Sequence, residues 1–110
     1  MKLPNAAHAI VEIEKLRDYC LSASHPRGRH KARVFSTTLG ITAEDAEELR
    51  NAILSAVLTE EATSTERDEY GQRYTLDFTM TRQGRQAAIR TAWIVRTGED
   101  YSRLTSCYVL

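Results

Sequence analysis

The chain has 110 residues, 42% of them hydrophobic and 27% charged, enough apolar material to fill one core and too little for two. No apolar run reaches the roughly 18 residues that span a bilayer, and Met1-Lys2-Leu3-Pro4-Asn5-Ala6-Ala7 lacks the long hydrophobic stretch of a signal peptide. The expectation is one domain, residues 1–110, in the cytoplasm and free of membrane. Formal charge is zero but uneven: residues 1–40 hold seven Lys/Arg against three Asp/Glu, residues 41–70 two against nine, and residues 71–110 six against three.

Between Glu12 and Leu21, the apolar residues Ile13, Leu16, Cys20 and Leu21 recur at spacings of three and four, with Tyr19 beside them, which predicts a first helix. Ser22 to Gly28 breaks the pattern as a loop. A second helix is expected over Arg29–Thr38, with Ala32, Phe35 and Leu39 aligned and Gly40 placed to end it. Thr42 then has the character of an N-cap, with Glu44 and Asp45 in the first turn, where the helix dipole favours negative charge. Ala46, Leu49, Ala52, Ile53, Ala56 and Val57 give a third helix its buried stripe.

After Glu61 the period changes to two. Tyr74, Leu76, Phe78 and Met80 alternate with polar residues as a half-buried strand, and Gln83-Gly84 marks a hairpin turn. Ala88 to Arg96 follows, with Ile89, Thr91, Trp93 and Val95 on one face and Arg90 among those on the other. Thr97 to Asp100 is the next turn, Tyr101 to Val109 the last strand, and Thr63 to Glu69 a polar edge strand. The predicted fold class is α+β: three N-terminal helices (residues 1–61) on a C-terminal antiparallel meander of about four strands (residues 62–110).

No glycine-rich phosphate loop, paired Cys-x-x-Cys, His-x-x-x-His or Gly-x-Ser-x-Gly elbow is present, so no metal and no cofactor is expected. Cys20 and Cys107 lie at opposite ends of the chain and read as buried thiols. The segment His25-Pro26-Arg27-Gly28-Arg29-His30-Lys31-Ala32-Arg33 carries four fixed positive charges, two imidazoles and no acid, a local potential that attracts polyanions even on a neutral protein. It equally suits an exposed loop that only caps and solubilises. A small protein with basic residues and imidazoles but no metal set is suited to cleaving RNA, because the substrate's own 2′-hydroxyl is the nucleophile.

His25, ahead of Pro26 at the mouth of the second helix, and Lys31 within it are the first candidates, with His30 and His8 secondary. On the last strand Ser106 and Tyr108 share one face while Thr105, Cys107 and Val109 share the other, so the two hydroxyls either contact a phosphate or line a solvated sheet. Arg27, Arg29 and Arg33 are candidate substrate contacts. So are Arg90 and Thr91, of which at most one can join a given site, since they lie on opposite faces. Trp93 reads as core.

Lys2-Leu3-Pro4-Asn5-Ala6, His25-Pro26-Arg27-Gly28-Arg29 with Lys31-Ala32-Arg33-Val34-Phe35, Arg90-Thr91-Ala92-Trp93-Ile94 and Gly98-Glu99-Asp100 resemble an uncharacterised bacterial family of free-standing domains, nearly end to end. More distantly, helices, a basic His/Lys element and a meander ending in Ser/Thr-x-Tyr resemble the barnase, EndoU, colicin and RelE superfamily of ribonuclease toxins. That resemblance implies metal-independent RNA cleavage, with His25 as acid or base, Lys31 on the phosphate and Ser106 and Tyr108 as the closing hydroxyl pair. The expected function is an endoribonuclease toxin held in check by a small antitoxin or immunity protein, its site one cationic cleft where His25, Ser106 and Tyr108 converge. The rival expectations are a non-catalytic binding or immunity module and a relative that binds RNA without cutting it.

Overall fold

The structure, a computed structural model, describes residues 1–110. Three helices, α1 (Ile13–Lys15), α2 (Arg29–Leu39) and α3 (Ala46–Ala56), precede four strands, β1 (Ala62–Asp68), β2 (Gly71–Arg82), β3 (Arg85–Arg96) and β4 (Arg103–Val109). The strands form one antiparallel sheet in the order β1-β2-β3-β4. The α+β meander expected from the change of period is therefore the fold. No helix is long and apolar enough to cross a membrane.

The first helix departs from its expected course. Only Ile13–Lys15 is α-helical, and Leu16–Cys20 widens into a π turn in which the Leu21 N–H reaches the Leu16 carbonyl at 2.8 Å. Segments this short have no stability of their own. What holds this one is burial of Leu16, Cys20 and Leu21, at roughly 1.5–3 kcal/mol for a large apolar side chain. Tyr19 is left half-buried at the margin. Helix α2 buries Ala32, Phe35 and Leu39, runs one residue past the expected end and stops at Gly40 in the left-handed region (φ 67°). Before α3, the Thr42 N–H donates to Asp45 Oδ2 at 2.9 Å, closing the predicted N-cap over a single 3₁₀ turn, Ala43–Asp45.

Strands β2 and β3 are longer than their alternating cores because the ladder continues unbroken from Gly71 opposite Arg96 to Arg82 opposite Arg85. The two-residue turn between them needs left-handed backbone at both positions, and Gln83 (φ 52°) and Gly84 (φ 78°) supply it. Opposed pairs Phe78–Ile89, Leu76–Thr91 and Tyr74–Trp93 turn to the helices, continued on β4 by Cys107 opposite Thr91 and Leu104 opposite Trp93. Between those last two pairs the register slips by one residue, so Thr105 is an inserted bulge. The expected face-sharing of Thr105 with Cys107 and Val109 fails for that reason, whereas Ser106 and Tyr108, opposite Ala92 and Arg90, remain on the other face.

Residues 1–10 also tie both edges of the sheet, which periodicity gave no sign of. The Met1 carbonyl accepts the Ala62 N–H at the start of β1, Leu3 joins the core, and Ile10 pairs in parallel with Arg103 beside β4.

Candidate functional site

Lys31 is the hub of the polar groups. From the first turn of α2 its Nζ donates to Tyr19 Oη at 2.8 Å and to Ser106 Oγ at 3.2 Å. It lies 4.7 Å from the centre of the Tyr19 ring and 5.9 Å from that of Tyr108. An ammonium has three N–H donors, so one remains. None of the ion pairs of the fold involves Lys31. A half-buried cation held by neutral hydroxyls and π faces keeps its full charge for an external anion, in surroundings less screening than bulk water.

Two recesses flank this lysine and share no lining residue. One, about 280 Å³, is lined by His30, Lys31, Val34, Tyr108 and Val109 and contains no acid. The exposed His30 ring makes no hydrogen bond to the protein. The other recess, about 490 Å³, holds His25, Tyr19 and Thr105, with Glu12, Glu14 and Asp18 against Lys15 and Arg27. The single cationic cleft expected from the sequence is thus two unlike recesses, and the one with His25 is not uniformly positive. The Asp18 carboxyl is held below its ordinary range by the Arg17 guanidinium, its hydrogen-bond partner.

His25 is brought near the hub but not into contact with it. Its ring meets the edge of Tyr19 at 4.9 Å between centres, so Tyr19 stands between it and Lys31. Its Nδ1 accepts the N–H groups of Arg27 and Gly28, both at 3.0 Å, and its carbonyl accepts the Arg29 N–H. The ring therefore closes the turn that leads into α2, with Nδ1 taken up as an acceptor. The role expected of His25 as acid or base meets a ring whose Nδ1 is already engaged by two backbone N–H groups and which does not touch Lys31.

The other expected contacts divide. Arg29 and Arg33 line a third recess with Ser36 and Thr37. Two positions along a helix of 3.6 residues per turn are about 200° of rotation, which turns Arg29 away from the Lys31 side. Arg90 is on the same face as Tyr108, but Asp77 holds its guanidinium through paired 2.9 Å bonds and raises its pKa, so its charge is already matched. Thr91 is fully buried. Its hydroxyl donates to the Leu76 carbonyl at 2.6 Å and accepts from Trp93 Nε1 at 2.7 Å, which removes it from any surface site and corrects its expected role.

Tyr19 and His30 are the residues that sequence reading undervalued. Beneath the hub, Cys20 and Cys107 are buried and unbridged, each next in sequence to a Lys31 partner. The Cys107 thiol, with Ser106 and Lys31 adding to its effect, draws the Cys20 pKa down, while Cys107 is held well above its ordinary value by Cys20 and by burial. No three His, Cys, Asp or Glu side chains gather in an arrangement that would hold a metal ion.

Residues 2–110 match the family described as Domain of unknown function (DUF6883). The chain belongs to this family. No curated protein and no solved structure matches it. Family membership assigns no activity, so the chemistry of the DUF6883 site rests on the geometry around Lys31.

Proposed function

We propose that this DUF6883 domain acts on RNA as a metal-independent endoribonuclease, a cytoplasmic toxin kept inactive by a small antitoxin or immunity protein. One observation carries the reading: the Lys31 ammonium, unmatched by any carboxylate, is held between Tyr19, Ser106 and Tyr108 beside the free imidazole of His30. In RNA cleavage by 2′-hydroxyl attack, the protein must take one proton, return another and stabilise the charge of the phosphorane. In this scheme Lys31 neutralises the phosphorane and His30 takes the 2′-hydroxyl proton. Tyr19 gives its proton to the leaving 5′-oxygen, and its nascent phenolate is stabilised by the N–H of Lys31.

A second reading is favoured by the locked His25 ring and the acids around it: a relative that holds RNA without cutting. Both are tested by incubating the purified domain with total RNA in EDTA and measuring binding across a salt series. The nuclease reading expects cleavage that Lys31→Met abolishes and His30→Gln impairs, with growth arrest on induction. Salt-sensitive binding without cleavage establishes the second reading instead, and the absence of both overturns the assignment to RNA.

A further inference from the structure

Resting on the reading of Lys31 as a phosphate contact, we infer that the recess formed by Val34, Tyr108 and Val109 beside it is a nucleobase slot. The recess is a small one: its volume of about 280 Å³ lies just under the ~300 Å³ at which small-ligand pockets begin. Val34 is one of the few large apolar side chains left in water, 39% exposed, and it lines the recess from α2 while Tyr108 and Val109 line it from β4. This apolar lining meets an unmatched ammonium at Lys31. A ligand that satisfies both halves must carry a flat apolar face and an anion a few bonds apart, which describes a nucleotide. Inorganic phosphate satisfies only the cation. Since every base has a π face, stacking on Tyr108 tolerates all four bases, and the slot fixes the register of the strand more than its sequence.

The test is calorimetric titration of the full chain with inorganic phosphate, ribose 5-phosphate and uridine 3′-monophosphate. The nucleotide is expected to bind about tenfold more tightly than the ribose phosphate, equivalent to about 1.4 kcal/mol. Val34→Ser, with unchanged circular dichroism, is expected to erase that difference while leaving inorganic phosphate binding as it was. Equal affinities for nucleotide and ribose phosphate, or a preference that survives Val34→Ser, overturn the slot. If RNA is nevertheless cleaved or bound in a Lys31-dependent way, the slot alone has failed. If phosphate does not bind and Lys31→Met leaves RNA affinity unchanged, the phosphate reading has failed and the slot with it.

Discussion

The α-carbon of Gly28 rests against the backbone carbonyl of Tyr19. A Cβ at position 28 would overlap the Tyr19 carbonyl oxygen and lie 2.9 Å from its carbon and 3.2 Å from Cδ1 of the ring. Nothing there yields easily, because the obstacle is the backbone of the π turn. The His-Pro-x-Gly element is thus a packing device: His25 closes the turn, and Gly28 lets it press against the residue that holds Lys31.

Gly28→Ala is therefore expected to destabilise the domain by about 1–3 kcal/mol, the usual range for overpacking. Urea unfolding measures this as a lowered midpoint. If Tyr19 is displaced along with the turn, affinity for RNA falls in the variant under conditions where it remains folded. An unchanged midpoint would show that the turn and Tyr19 are not in contact.

Replacing His25 separates its two conceivable roles. His25→Ala removes the acceptor for two N–H groups of the turn before α2 and is expected to cost about 1 kcal/mol, as loss of an intramolecular hydrogen bond does. His25→Asn keeps a side-chain acceptor and should recover most of that stability without a titratable ring. Because the imidazole in the Lys31 recess belongs to His30, RNA cleavage is expected to persist in the folded His25→Asn protein. Cleavage lost in this variant, with stability intact, would return His25 to the chemistry.

The fold was readable because its main signals are local and periodic: the Ala32-Phe35-Leu39 stripe, the alternation from Tyr74 to Met80 and the Gln83-Gly84 turn each depend on neighbours in sequence. The candidate site was readable only in part. Lys31, Ser106 and Tyr108 were singled out by residue type, but their meeting depends on a contact across 75 positions. The π turn that sets Tyr19 beside Lys31 adds one residue to a helical turn and leaves no mark in the apolar spacing. His25 was favoured over His30 because it precedes a proline in a loop, and that loop is what ties up its Nδ1. Thr105 shows the same limit, since one bulged residue changes which side chains share a face.

Thr91→Val tests whether the buried hydroxyl is structural. Valine matches threonine in shape but leaves the Trp93 N–H and the Leu76 carbonyl without this partner, so a loss of about 1–3 kcal/mol is expected. Each kcal/mol lowers the melting temperature of a domain near this size by roughly 4–8 °C. RNA affinity and cleavage per folded molecule should not change. A loss of affinity without loss of stability would place Thr91 at the surface site after all.

Acid should weaken the junction where the N-terminal segment meets the sheet. Glu99 accepts from Arg103 Nε at 3.0 Å and from Nη2 at 3.1 Å, and it also binds Tyr101; the guanidinium first and the phenol second hold its pKa below the ordinary glutamate value, against the effect of burial. A carboxyl more acidic in the folded than in the unfolded chain binds fewer protons when folded. Its contribution is complete above the unfolded value, near ~4.3, and disappears as pH falls through the lower folded value. Glu99→Gln is expected to be less stable than wild type at pH 7, with the gap closing on acidification, as followed by urea unfolding at a series of pH values. Arg103 also lies beside Ile10, so hydrogen exchange at Ile10 and Leu104 should quicken in the variant at neutral pH. A stability gap that stays constant from pH 7 to acid would show that Glu99 stabilises the junction by shape and hydrogen bonding alone, with no part played by its charge.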